Sequence, residues 1–119
     1  LEALRVTRAG WLLRDGQVLA AAERADHLAE RTRGLLGRSG YDGAMILTRT
    51  RSVHTARMRF PLDVAFLDAE LVVVGTCRLV PWRLALPRRR GRHVLEAQAG
   101  SFERWGLAVG DHLEFKGAS

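Results

Sequence analysis

RSVHTARMRFPLDVAFLD, residues 51 to 68, is the stretch on which the reading of this chain turns. Its second half alternates Leu62, Val64 and Phe66 on one side of an extended strand with Asp63, Ala65 and Leu67 on the other. Both faces are apolar, so this strand is buried on both sides. Asp63 is then a carboxylate placed where leaving it unpaired is costly, and it must find donors. Immediately upstream stand His54, Thr55, Arg57 and Arg59, separated from the strand by the bend at Phe60-Pro61. If the strand continues past Pro61 or folds back as a hairpin, His54, Arg59 and Asp63 converge at one end of a barrel. The structural alternative is that Asp63 caps a turn or pairs with an arginine and holds the strand entrance rigid.

Downstream, Asp68-Ala69-Glu70 forms a tight connection into Leu71–Val80, the longest strand candidate, which Pro81 ends. Residues 82–93 read as a solvated loop, followed by a strand at Val94–Ala97. A short helical turn is expected at about 101–107, with Ser101 as N-cap and Phe102, Trp105 and Leu107 facing inward. Gly110-Asp111 turns the chain into a closing strand, His112–Phe115. Upstream, Gly43–Leu47 is a short buried strand. Strands at about 10–14 and 17–24 are joined by Asp15-Gly16, a dipeptide suited to a tight hairpin turn. A ragged first strand is expected at Leu4–Thr7. The clearest helix spans about 27–36, with Asp26 as N-cap, Leu28, Thr32, Leu35 and Leu36 at helical spacing, and Gly37 just past its end. Many short strands and one clear helix predict a mainly β fold, a small antiparallel barrel-like or sandwich-like domain covering residues 1–119.

Composition narrows the function classes. The chain has 119 residues, 47% hydrophobic and 27% charged, as globular proteins do. Its apolar runs fall far short of the roughly 20 residues needed to cross a bilayer as a helix. No basic-then-apolar leader opens it, which favours the cytoplasm, although a chain beginning at Leu1 is consistent with a removed segment. The single cysteine, Cys77, excludes an internal disulfide and reads as a small hydrophobe in a strand. The net charge is +6, and all basic residues except Lys116 are arginines. So general a replacement of lysine points to genome composition as much as to an anionic partner.

Five blocks in order carry a resemblance. Arg31-Thr32-Arg33-Gly34-Leu35-Leu36-Gly37-Arg38, Val53-His54-Thr55, and Met58-Arg59-Phe60-Pro61-Leu62-Asp63-Val64-Ala65-Phe66 come first. Val94-Leu95-Glu96 with Ala99-Gly100, and Gly106-Leu107 with Gly110-Asp111, follow. Over roughly residues 17–115 the chain resembles the bacterial and archaeal family of domain of unknown function 192. The resemblance implies a compact, mainly β barrel or sandwich with a short helix. It implies no activity, since the family is uncharacterised. Many members read Trp-Met-Lys-Asn-Thr before the Pro-Leu-Asp motif, whereas this chain has a His-Thr-containing variant, so no role of those residues carries over.

The candidate ligand-binding residues are therefore His54, Thr55, Arg59 and Asp63, with Arg33 added from the matched block around the end of the helix. The favoured reading is a non-catalytic binding or accessory module for a small anionic or polyhydroxylated ligand, or for a protein partner. Acid–base catalysis by His54, Arg59 and Asp63 is the alternative. Nonspecific nucleic-acid binding through Arg88, Arg89, Arg90 and Arg92 is a third reading, disfavoured because few aromatics interleave with the charges. No cofactor loop and no nucleophile elbow occur, and the four histidines are scattered, so neither a cofactor nor a metal is expected.

Overall fold

The computed structural model describes residues 7–26, 42–55 and 58–118. The strands in chain order are β1 (Arg8–Arg14), β2 (Gln17–Ala25), β3 (Ala44–Leu47), β4 (Val53–His54), β5 (Leu62–Leu67), β6 (Val73–Leu79), β7 (Leu84–Ala85), β8 (His93–Gln98) and β9 (Leu113–Gly117). One short helix, α1 (Ser101–Trp105), follows β8. Seven strands form one sheet in the order β6-β5-β8-β3-β2-β1-β9, and β4 pairs with β7 as a separate ribbon. The two outer strands of the large sheet meet where Val72 bridges His112. The sheet thereby curls into a barrel, which removes the edges that open sheets leave unpaired.

Local sequence explains most of this. Arg14 pairs with Gln17, leaving Asp15 and Gly16 as a two-residue turn with φ of 53° and 79°. Positive φ at both positions matches the twist of the strands that the turn joins, and glycine adopts it without steric cost. The side-chain carboxylate of Asp68 accepts from the N–H groups of Glu70 and Val72, each at 2.9 Å. That grip holds Leu71 in its left-handed conformation, φ 66°. β1 and β9 approach closely at Gly10, where an added Cβ would collide with the Lys116 carbonyl and the Phe115 ring.

The two faces of the sheet bury two cores. Inside the barrel lie Leu12, Ala22, Ile46, Ala65, Leu67, Leu95, Phe102 and Leu113. On the outer face, Met45, Leu47, Leu62, Val64, Phe66 and Val94 are covered by Val53 and Ala85 of the ribbon and by Met58 and Phe60. β5 is buried at all six positions because it serves both cores. A bulge between Phe66 and Leu67 places Leu67 opposite Val73 and Phe66 opposite Gly75. The extra residue shifts the side-chain alternation by one, turning Cys77 and Leu79 toward the outer core.

Several expectations change. β2 and β3 run parallel, whereas the other pairings are antiparallel, so the sheet is mixed. A parallel step needs a crossover of a dozen or more residues, and the connection between Ala25 and Ala44 is long enough to supply it. Val53–Arg59 is not one strand. Pairing stops at His54, and Met58 N–H turns back onto the Thr55 carbonyl. The span 82–93 is not wholly loop, since Leu84–Ala85 pairs with Val53–His54. Ser101 is not the N-cap of α1. Gly100 is, with φ 99° and no side-chain cap bond of its own. The helix expected at 27–36, the residues 4–6 of the expected first strand, and Arg33 lie outside the described residues.

Candidate functional site

The sequence places two acids in doubly buried strands, and the fold sets them on opposite faces of the same pair. Asp63 on β5 stands opposite Ala97 on β8, and Glu96 stands opposite Val64, one residue along. Asp63 points into the barrel and Glu96 toward the outer core. Both are nearly fully buried, at 4% and 5% exposure. Their surroundings differ completely.

Asp63 is satisfied. One carboxylate oxygen accepts from the N–H groups of Gly100 at 2.9 Å and Phe102 at 3.1 Å. The other accepts from Arg78 Nε at 3.0 Å. Asp63 thus caps α1 from the strand next to β8, supplying the acceptor that Gly100 cannot. At its other end α1 closes with Gly106 N–H on Glu103 O and Leu107 N–H on Phe102 O, a Schellman arrangement. Arg14 donates to the carbonyls of Trp105 and Gly106 and to Asp111, placing a cation at the helix C-terminus.

The other residues read as site candidates do not join Asp63 through any described hydrogen bond or ion pair. His54 pairs in register with Leu84, on the exposed side of the β4–β7 ribbon. Arg59 is exposed at the bend before β5. Thr55 is fully buried and serves as a clasp. Its hydroxyl donates to Val80 O and accepts from Arg83 N–H, both at 2.7 Å, while its carbonyl accepts from Trp82 N–H at 2.9 Å. Arg88 is held over the Phe66 ring at 5.2 Å, and Gly91 is buried beneath the basic run.

Glu96 is the residue that the sequence reading passed over. Among the described residues no donor reaches its carboxyl. Burial alone pushes it up to about 7, from an ordinary 4.5. Met45 and Val64 flank it in register on the outer face, within the layer that Met58 and Phe60 help to cover. Native proteins satisfy most buried polar groups, and an exception calls for an explanation. The signal was available: Val94-Leu95-Glu96-Ala97 sets an acid within an apolar strand just as Leu62-Asp63-Val64-Ala65 does.

A third polar region opens at one mouth of the barrel. Two crevices of about 500 Å³ and 210 Å³ share Arg24, Leu71 and Phe115 as lining. The smaller contains His93, whose Nδ1 accepts from Arg49 N–H at 2.9 Å, so the ring proton sits on Nε2. Burial, then the positive charge of Arg24, lowers its pKa below the usual histidine value. Among the described residues no group of three or more His, Cys, Asp or Glu is placed to hold a metal ion, and no helix is long and apolar enough to cross a membrane.

Barrel, covering ribbon and helix cap together define a small mixed-β barrel class, shared with solved proteins. One, from Novosphingobium aromaticivorans and of unknown function, superposes with a TM-score of 0.75 at 22% identity, covering 91% of this chain and 84% of that one. Another, from Sinorhizobium meliloti and described as a candidate transcription regulator, gives 0.76 at 25% identity over 93% of this chain and 95% of that one. The chain belongs to the family of domain of unknown function 192, described as Uncharacterized ACR, whose profile matches residues 11–115. A UPF0127 protein of Pyrococcus abyssi is 34% identical over 78% of this chain and 84% of its own length. One from Pyrococcus furiosus is 39% identical over 54% of this chain, and the match spans 55% of that relative.

Proposed function

We propose that this chain is a small binding module whose site is centred on Glu96, and that its ligand presents hydrogen-bond donors, hydroxyl or protonated amine. The observation that carries this reading is a carboxyl at 5% exposure with no donor among the described residues. Such a group costs stability until a donor reaches it, and residues that cost stability in this way concentrate at functional sites. A polyhydroxylated ligand remains in keeping with the site, whereas a purely anionic one would be repelled by ionised Glu96.

A second reading, acid–base catalysis, draws on the same position of the Glu96 carboxyl near neutrality, where a group can both take and give a proton. It would centre on Glu96 without Asp63, which faces the barrel interior, or the exposed His54 and Arg59. The description of the Sinorhizobium relative would bring nucleic acid to this chain, a reading that rests on the exposed arginines alone.

The test is NMR observation of the Glu96 side-chain carboxyl carbon during addition of putrescine, spermidine, glucosamine and glucose. One chemical class should shift that resonance, lower the pH at which it titrates if the ligand is cationic, and lose its effect in Glu96→Gln. A Glu96 signal indifferent to every probe, or equal binding by the variant, overturns the proposal.

A further inference from the structure

The charge of this chain is not spread over it. Residues 71–95 contain six arginines and no acidic residue, so the whole formal charge of +6 resides there, while the remainder balances 13 basic against 13 acidic groups. The same segment holds four of the exposed large hydrophobic side chains: Val80 at 48%, Trp82 at 63%, Leu84 at 61% and Leu86 at 69%. Ala85 between the two leucines is buried. Alternation along β7 therefore turns Leu84 and Leu86 outward together, beside His54.

This lip is built rather than loose. Thr55, buried beneath it, binds Val80 O, Trp82 N–H and Arg83 N–H, fixing the turn that carries Trp82. Trp82 itself has φ 66°, a conformation that a non-glycine residue adopts only when surrounding bonds hold it. On the far side the Arg88 guanidinium stands 5.2 Å from the centre of the Phe66 ring, and Arg92 N–H donates to Leu67 O at 2.7 Å, so the basic run is pinned to the barrel at both ends. Arg83, Arg89 and Arg90 are exposed beside the apolar side chains. A held tryptophan with leucines, flanked by cations, is the composition that seats at a membrane interface: rings and aliphatic chains enter the headgroup boundary, and guanidinium groups meet phosphates.

We propose that Val80–Arg90 is a docking surface for an anionic phospholipid bilayer, with Trp82, Leu84 and Leu86 entering its interface and Arg83, Arg89 and Arg90 contacting the headgroup phosphates. The charge asymmetry orients the molecule, since the balanced remainder neither attracts nor repels a negative surface. The aliphatic side chains decide against nucleic acid, whose phosphate backbone offers Val80, Leu84 and Leu86 nothing to bury against. This surface is independent of Glu96, and either proposal can fail alone.

The test is vesicle flotation of the intact chain, with phosphatidylcholine vesicles and with the same vesicles made roughly one-third phosphatidylglycerol. Binding should require phosphatidylglycerol and weaken as salt is raised. It should fall about thirtyfold in Arg89→Gln/Arg90→Gln, and comparably in Trp82→Ser/Leu84→Ser, with thermal melts confirming that both variants fold. Brominated lipid should quench the native protein more than Trp82→Phe. Equal binding to both vesicle types, binding unchanged in both variants, or absence of quenching overturns the proposal. So does salt-sensitive binding of duplex DNA by a protein that ignores vesicles, which would assign the arginines to nucleic acid.

Discussion

Replacing Glu96 by glutamine should make the protein more stable, and only above acid pH. A carboxyl whose pKa rises from 4.5 to about 7 on folding holds its proton more tightly in the folded state than in the unfolded chain. Below 4.5 both states are protonated and nothing is lost. As pH rises from 4.5 to about 7, the unfolded chain is ionised while the folded one holds its proton. Stability therefore falls across that window, by about 3 kcal/mol in total. Glutamine has nearly the same shape and does not ionise. The variant should exceed the native protein by about 3 kcal/mol near pH 8.5, a melting difference of about 10 °C, and should converge with it near pH 4. Urea and thermal unfolding at several pH values measure this, and taking the difference cancels every other titrating group. A gap that does not vary with pH, or a variant less stable at pH 8.5, would mean that Glu96 is ionised and paired in the native state, and the argument from its burial would fall.

Three further expectations concern the frame. Asp63→Ala should cost about 3 kcal/mol, because the buried N–H of Phe102 and the half-buried N–H of Gly100 lose their acceptor; Arg78→Ala, at a side chain 56% exposed, should cost well under about 1 kcal/mol. Denaturant midpoints compare the two, and equal losses would shift the role of Asp63 from helix cap to ion pair. Thr55→Val should cost about 2 kcal/mol and speed amide exchange at Trp82 and Arg83, since the hydroxyl between Val80 and Arg83 disappears; unchanged exchange would refute the clasp. Gly10→Ala should weaken the β1–β9 pairing through collision with Lys116 and Phe115, by about 2 kcal/mol, and an unaltered melt would show that the strands can separate without loss.

What the amino-acid order settled by itself was local. Apolar residues on both faces of Leu62–Leu67 require burial on both sides whatever surrounds the strand. Asp15-Gly16 dictates its turn because φ is restricted residue by residue. The obligation of Asp63 to find donors was legible too, since the cost of burying a bare carboxylate is a property of the group. The identity of those donors was not, because Gly100 and Phe102 lie 37 and 39 residues away and are brought near only by the pairing of β5 with β8. His54 and Asp63, nine positions apart, seemed neighbours along the chain, yet the break after His54 sends one to the ribbon's outer face and the other into the barrel. Glu96 and Asp63 stand in equally apolar strand contexts, and only the register of β8 against β5 decides which core Glu96 meets. A shift of one residue there would turn Glu96 into the barrel, the side that Asp63 already occupies, because side chains alternate with a period of two. The parallel step from β2 to β3 and the meeting of Val72 with His112 were equally beyond the sequence. Both are closures between distant segments, fixed by how seven strands share one interior.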